Sequence, residues 1–531
     1  MDLRSLTPAR CRLLLAVLLV TGFALHLIFL MWDCPIDLFG DEAHYWDWSR
    51  QLDVAYYSKP GMVAWLIRAS CSVFGDVMWA VRLPAGVLAV GTSICTYWLM
   101  RHLFKSDRLA LGTVVLTHTV PMYIVGSMAM ATDSPLFFFW ALTTCFAALA
   151  IFCEKKWAWL AMGLAGALGV LSKYAMPLWY VGLVLFLMCD RPSRKWLRTR
   201  WPYLGLLFTL LAFAAPLWWN YANGWVTAKH VGRQTGVTAT EGAWYLNPPL
   251  MVATEAGIVG PILAVFIVLA AIKVIRLNRE VNEPETGSTD FRAARFLLCI
   301  GGGYFLCCLL ASFRVVMEAN WPAPAFYTLV PLAAWWLSTK WNSPADWKPV
   351  RGFFWAHVTI GIVALLVIHQ THHFYPLALK LGLKPRQVDL AQIIKSRGNA
   401  EYGQAVSRVL REHPGAFVLT RKYQDASLLA FYVEGQPKTY NIGSYLIGRE
   451  RTRHSQFDVW KDRDLANPEL IGRDAVFFGK PDPDDVIRNA FDRFERVEDV
   501  KIIRGGLELH SQSLYVGYGF KGVRRSEPGS Y

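Results

Sequence analysis

Long apolar runs separated by short polar loops dominate the first two-thirds of the chain. They fall at about 13–32, 80–100, 109–130, 134–152, 157–171, 175–189, 202–219, 250–272, 294–313, 322–338 and 352–370. Each is near the ~20 residues that a helix needs to cross a hydrocarbon core, so about eleven spans are predicted. Arg4, Arg10 and Arg12 precede the first run. That run is long enough to span and no small-residue cleavage site follows it, so it reads as a retained helix rather than a signal peptide. From about His372 the pattern changes. Apolar runs shorten to AFVLT (416–420), DAVFFG (474–479) and QSLYVGYGF (512–520), alternating with polar, helix-like stretches. That is the signature of a small soluble α/β domain. The predicted fold is thus an α-helical polytopic membrane domain over 1–371 followed by an α/β domain over 372–531.

Charge orients these elements. The loops 101–108, 153–157, 190–200, 273–295 and 338–351 are rich in Lys and Arg, whereas the loops between them carry about a third as many. By the positive-inside rule this places the N-terminus in the cytoplasm. The first loop (33–79), the MATDS turn, the 220–249 loop, the RVVMEANWP turn and, with an odd number of spans, the C-terminal domain then face outward. NREVNEPETGSTD (278–290) reads as a flexible cytoplasmic loop.

Composition narrows the class. Hydrophobic residues make up 54% of the chain and charged residues 18%, which excludes an ordinary soluble enzyme. The net charge of +14 is spread over short loops with no reader motif, so it reflects membrane orientation and not nucleic-acid binding. The ten cysteines all lie in the apolar part without C-x-x-C spacing, which argues against a zinc or redox site. Cys34 and Cys71 share the first outer loop; free thiols are the expectation for them, and a disulfide is the alternative.

Candidate chemistry concentrates in the first outer loop, LFGDEAHYWDWSRQLDVAYYSKPG (38–61). Asp41 and Glu42 lie side by side there, and carboxylates placed at a bilayer are functional candidates by default. If 41–52 is helical, Asp41, Tyr45 and Trp48 share one face while Glu42 turns away with Trp46. An interfacial helix would then present Asp41 toward the bundle. The competing reading is that Asp41 caps this helix. Asp133, in MATDSPLFFFW, is a second acid at an outward turn and also resembles a helix start. Lys59, close in sequence to the acids, suits a phosphate contact, although a loop lysine is usually solvated. Arg82 opens the second span, where arginines usually snorkel. Lys229 and Arg233 are i,i+4 neighbours and offer two cations on one helix face; His230 between them is weak evidence for a metal. Glu318 and Asn320 sit on a short outer turn that is either a binding element or simply solvated.

The order GDEAHYWDWSRQL, YYSKPG, FGDVMWAVRLPAG resembles the N-terminal region of bacterial polyprenyl-phosphate-sugar-dependent glycosyltransferases. This is the group of the protein O-mannosyltransferases and the aminoarabinose transferases of lipid A, with the GT-C membrane fold. The resemblance continues through MATDSPLFFFWAL, GVLSKYAMP, WNYANGWVTAKHV and EANWPAPAF, covering roughly residues 35–340. It implies that Asp41 is the catalytic base, that Asp133 is the second acid and that Lys59 contacts the lipid phosphate. Two departures qualify it. Related lipid A enzymes have Glu before that lysine and Pro-Pro after it, where this chain has Ser58 and Gly61; no metal site is therefore carried over, no cofactor is implied and no motif supports a divalent cation. Where some relatives have Arg, this chain has His44, so part of the phosphate clamp must come from elsewhere, with Lys229 and Arg233 as candidates.

The implied activity is transfer of a sugar from a polyprenyl-phosphate donor to a lipid (such as lipid A), glycan or protein acceptor at the outer face of a bacterial cytoplasmic membrane, with inversion. Substrate contacts would come from Glu42, His44, Tyr45, Lys59, Arg82, Lys229, His230, Arg233, Glu318 and Asn320. A transporter or flippase of lipid-linked sugars is one alternative, but it predicts inverted repeats and broken mid-membrane helices, which the sequence does not show. A lipid-linked oligosaccharide polymerase or ligase is another.

Overall fold

Among the described residues of the computed structural model, six helices are long and apolar enough to cross a bilayer: Pro8–Trp32, Met78–Phe104, Asp133–Phe152, Trp201–Ala222, Thr289–Ser312 and Ala345–His369. The structure describes residues 6–236, 242–279, 289–341, 344–370, 373, 375–383, 396–445, 454–481 and 486–523. Most of the expected loop 278–290 lies outside them. Two of the expected spans are bent pairs. Asp107–His118 meets Pro121–Met128 at 73°, and Asn247–Val259 meets Pro261–Leu277 at 110°. Each second half begins at a proline, which has no N–H to continue the preceding helix but suits a first helical turn. The runs at 157–171 and 175–189 form shorter apolar helices, Trp157–Ser172 and Met176–Cys189.

The chain divides into two compact units. The first comprises Met1–Ile28, Leu83–Trp219 and Val231–Leu366. It is a helical bundle whose core includes Trp140, Trp159, Phe186, Phe296 and Trp335. Where Trp157–Ser172 crosses Trp201–Leu211, a Cβ on Gly163 would lie 2.2 Å from the Gly205 carbonyl oxygen. Glycine on both helices lets the backbones touch, which is how helices gain packing energy where lipid supplies no hydrophobic drive.

The second unit comprises Phe29–Arg82, Asn220–His230 and Val367–Tyr531. Its framework is a five-stranded sheet in the order β2-β1-β3-β5-β4. The strands are β1 (Phe417–Thr420), β2 (Thr439–Asn441), β3 (Ala475–Phe478), β4 (Phe491–Arg504) and β5 (Leu507–Phe520). β1 pairs in parallel with β2 and β3, while β5 runs antiparallel to β3 and β4. β1 and β3 are buried along their whole length, as strands covered on both faces must be. Tyr402 and Val406 of the helix Asn399–Glu412 pack over Val418, Val476 and Leu514 on one face. Leu419, Phe477, Phe491 and Phe520 form the core on the other. All three runs expected to be strands are strands, and the last extends back to Leu507. Eight of the fourteen residues of β4 are charged, so it forms no apolar run.

The loop 33–79, expected to face outward, belongs to this unit. Its helix, Gly40–Ser49, is buried from Glu42 to Ser49, so it is a core helix and not an amphipathic one lying in the interface. Asp47, fully buried, pairs with Arg463 at 3.0 Å; the guanidinium also donates to the Thr439 carbonyl at 2.9 Å and lies over Phe457 and Trp460. Burial still leaves the Asp47 carboxyl above the usual carboxylate range despite its arginine. Cys34 and Cys71 are both free thiols.

Removing Arg463 leaves the buried Asp47 charge with only the more distant Arg50, 3.7 Å away. Arg463→Met should therefore cost about 3–5 kcal/mol, read as a lowered melting temperature of the purified full-length protein, and Asp47→Asn in the same chain should recover part of the loss. A second prediction concerns Asp425, in the first turn of the helix Tyr423–Tyr432. Burial pushes its carboxyl from 3.8 up to about 6. The folded chain then holds this proton more tightly than the unfolded one, so its contribution to stability falls as pH rises from about 4 through about 6 and then levels off. Asp425→Asn should flatten that slope and raise the melting temperature at pH 7.5.

Candidate active site

The loop helix begins at a buried ion pair. Arg82 Nε donates to Glu42 Oε1 at 3.0 Å and Nη2 donates to Oε2 at 2.7 Å. The remaining guanidinium donors reach back along the loop, to the carbonyls of Ile36 and Asp37 at 2.8 Å each and to Cys34 Sγ at 3.4 Å. Glu42 Oε2 also accepts from the Phe39 amide at 3.0 Å. Glu42, at the third helical position, therefore closes the helix N-terminus. The competing reading that Asp41 caps the helix gives way to Glu42, and the expected sidedness is reversed: Glu42 is 2% exposed, whereas Asp41 stands exposed at the first turn. Arg82, 1% exposed, does not snorkel. Its planar fork matches a carboxylate and two carbonyls at once, which a lysine could not do.

Residues from the C-terminal third hold the rest of this loop. Asp37 Oδ2 accepts from the amides of Asn399 and Ala400 at 2.8 and 3.3 Å. It thus caps the helix Asn399–Glu412 from 362 positions away; Gly398, at the N-cap, has no side chain with which to do so. Arg397 donates to the Pro35 carbonyl and the Leu38 amide to Tyr432 Oη. His44 Nε2 lies 3.1 Å from Trp48 Nε1 and Nδ1 lies 2.9 Å from Ser427 Oγ. An indole N–H only donates, so Nε2 accepts and Nδ1 carries the proton. The ring is walled by Tyr423, Phe457 and Trp460. Tyr45 is buried, edge-on to Trp48, which stacks on Tyr56 at 4.3 Å. His44 and Tyr45, like Glu42 and Arg82, are thus engaged inside the unit.

Lys59 sits half-exposed in a tight hairpin closed by the Tyr56 amide to the Lys59 carbonyl and by a bridge between Ala55 and Pro60. A Cβ on Gly61 would lie 2.5 Å from the Asp53 carbonyl oxygen, which accounts for glycine at this position. The helix Val226–Gln234 packs on this hairpin: Thr227 Oγ1 donates to the Tyr56 carbonyl at 3.2 Å, and His230, buried, meets Tyr57 at 5.1 Å. Lys229, one residue earlier, is exposed. Gln456 accepts from the Tyr57 amide at 2.7 Å.

Asp133, Arg233, Glu318 and Asn320 belong to the helical unit. Asp133 opens the helix Asp133–Phe152, yet both its oxygens go to side chains. Lys173 Nζ donates to Oδ1 at 2.7 Å and Asn320 Nδ2 to Oδ2 at 2.9 Å. Two turns nearly 150 residues apart thereby meet at one carboxylate. Glu318 lies exposed on the Asn320 turn, and Arg233 ends its helix half-buried. Lys173 had been assigned no role. A single lysine between the apolar helices Trp157–Ser172 and Met176–Cys189 was the signal that marked it. Arg463, Asp37 and Ser427 carried no comparable signal.

Residues 58–219 match the family described as dolichyl-phosphate-mannose-protein mannosyltransferase. A lipid A galacturonosyltransferase of Rhizobium johnstonii is 28% identical over 335 residues, covering 61% of this chain and 66% of that protein. An undecaprenyl phosphate-α-4-amino-4-deoxy-L-arabinose arabinosyl transferase of Pseudomonas aeruginosa is 27% identical over 228 residues, 39% of this chain and 40% of that one. The chain thus aligns with less than two-thirds of the length of these relatives. Among solved structures, ArnT of Cupriavidus metallidurans bound to undecaprenyl phosphate superposes with a TM-score of 0.61 at 15% identity, covering 94% of this chain and 97% of that one. The fold is that of ArnT.

The two adjacent acids should separate cleanly on substitution. Glu42→Ala leaves Arg82 as an unpaired buried charge and should cost about 3–5 kcal/mol. Asp41→Asn, at an exposed position, should stay within about 0.5 kcal/mol of the parent. Thermal unfolding of the two variants in the same detergent checks the difference.

Proposed function

We propose that this chain, related to the protein O-mannosyltransferases and aminoarabinose transferases of the GT-C group, transfers a sugar from a polyprenyl phosphate to an envelope glycolipid such as lipid A. The observation that carries the assignment of the acid is the division of labour at Asp41-Glu42. Glu42 is buried and engaged by Arg82 and the Phe39 amide, whereas Asp41 is the solvent-exposed carboxylate of the pair. The donor class and the acceptor follow the names of the relatives, one acting on lipid A and one carrying undecaprenyl phosphate. The reaction is read as taking place at the outer face of a bacterial cytoplasmic membrane, with the N-terminus inside, as loop charge suggests.

In this reading the acceptor hydroxyl attacks the anomeric carbon as the bond from that carbon to the phosphate oxygen breaks, with inversion. Asp41 takes the hydroxyl proton; if the acceptor is itself a phosphate, Asp41 only positions it. Negative charge accumulates on the departing polyprenyl phosphate, so the leaving group needs cations and not a general acid. Lys59 supplies one, and Lys229 or Arg233 another. Asp133 is the second acid, with its carboxylate held in one orientation by Lys173 and Asn320, which act as positioning residues. Glu42, Arg82, His44 and Tyr45 move from substrate contact to support of the helix that carries Asp41.

Purified protein given a radiolabelled undecaprenyl-phosphate sugar and lipid A should yield labelled lipid A, with Asp41→Asn lowering the rate at least ~100-fold. Lys59→Ala should lower kcat/KM by a similar factor, about that of removing one donor from developing charge. Full activity in the folded Asp41→Asn variant would sink the assignment.

A further inference from the structure

We infer that the short helix Tyr375–Lys380 and the tip of the β4–β5 hairpin together form a foot that inserts into the lipid headgroup layer. The two pieces meet within one unit. The hairpin turns at Gly505-Gly506, both with positive φ (55° and 82°), the geometry of a tight two-residue turn. A Cβ on Gly505 would lie 3.1 Å from Pro376, and one on Gly506 3.3 Å from Leu379. Around this contact Leu377, Leu379, Leu381 and Ile503 are 53%, 47%, 64% and 52% exposed. Single exposed aliphatic side chains are ordinary, but four on two touching elements form a patch that needs a partner.

The position of the patch along the chain identifies that partner as a bilayer surface. The last apolar span ends at His369, and the six residues to Tyr375 can reach at most about 20 Å. A second tether is independent of the first. The Arg397 guanidinium lies over the Tyr375 ring at 5.3 Å and donates to the Pro35 carbonyl at 3.0 Å. Pro35 is three residues, about 10 Å at most, beyond Trp32, where the first apolar span ends. Those two span ends are themselves in contact, Phe29 meeting His369 at 4.8 Å. The foot is therefore tied to the exits of two spans. Lys380 stands exposed among the leucines, as suits an apolar face inserted about 5–10 Å beneath anionic headgroups.

The test uses the full-length protein in nanodiscs of phosphatidylethanolamine and phosphatidylglycerol, with p-benzoylphenylalanine replacing Leu377, Ile503 or Ile471 in separate chains. Ile471 is the control. It is 58% exposed but lies beside Phe520, where the Gly472 amide meets the Phe520 carbonyl, about 40 Å from the tip along the strand. After irradiation, intact-mass analysis should show lipid adducts at 377 and 503 several-fold above those at 471. Lipid yields no higher than at 471, or crosslinks to a second protein chain in place of lipid, would overturn the inference. Leu381 replaces Leu377 if that variant does not fold. Because the readout is lipid proximity and not sugar transfer, it stands or falls apart from the proposed activity.

Discussion

The loop between residues 33 and 79 depends on one guanidinium. Arg82 is withdrawn from water at the start of a span, and a charge so placed persists only if its donors are all matched. Glu42 supplies a bidentate carboxylate, and Ile36 and Asp37 supply carbonyls. This constraint sets the direction in which the chain leaves the first span, the start of the loop helix and the register of Asp41 beside Glu42. An acid placed one residue earlier or later on that helix would point some 100° away. The exposure of Asp41 is thus a consequence of what Glu42 must do.

The second constraint is that this loop has no core of its own. Ten helical residues cannot bury a hydrophobic face alone, and here the face is buried in a domain encoded almost 400 residues later. Asp37 caps a helix of that domain, His44 reaches Ser427 and Asp47 meets Arg463. In physical terms the α/β domain is a mount. It replaces a loop's conformational freedom with packing and paired charges, which is the preorganisation that a group acting in a transition state requires.

Much of the fold was legible along the chain. Apolar runs marked helices, but among the described residues six of them, or up to eight if each bent pair is one span, are long enough to cross, fewer than the eleven expected. The three apolar runs after residue 372 fall in strands, two of them buried along their whole length. β4 was not legible, since this edge strand carries charges at eight of its fourteen positions, as exposed edges do. The bends at Pro121 and Pro261 were present as residues, but a proline does not specify an angle. In the site, the cluster of acids, aromatics and Lys59 stood out by composition. The division of roles within it did not: an arginine at a span end looks the same whether it snorkels or is buried, and helical periodicity places Asp41 and Glu42 on different faces without saying which face is covered.

The sequence by itself determined that the chain crosses a membrane, that an α/β domain follows, and which short segments hold acids and cations. These are properties of local composition and spacing. Only the tertiary structure decided that Glu42 closes the helix and Asp41 is exposed, that His44 is a strut, and that Lys173 and Asn320 hold Asp133. Each of those outcomes turns on a partner 40 to 400 positions away, and pairing at that range is fixed by how helices and sheet pack, which no local pattern encodes.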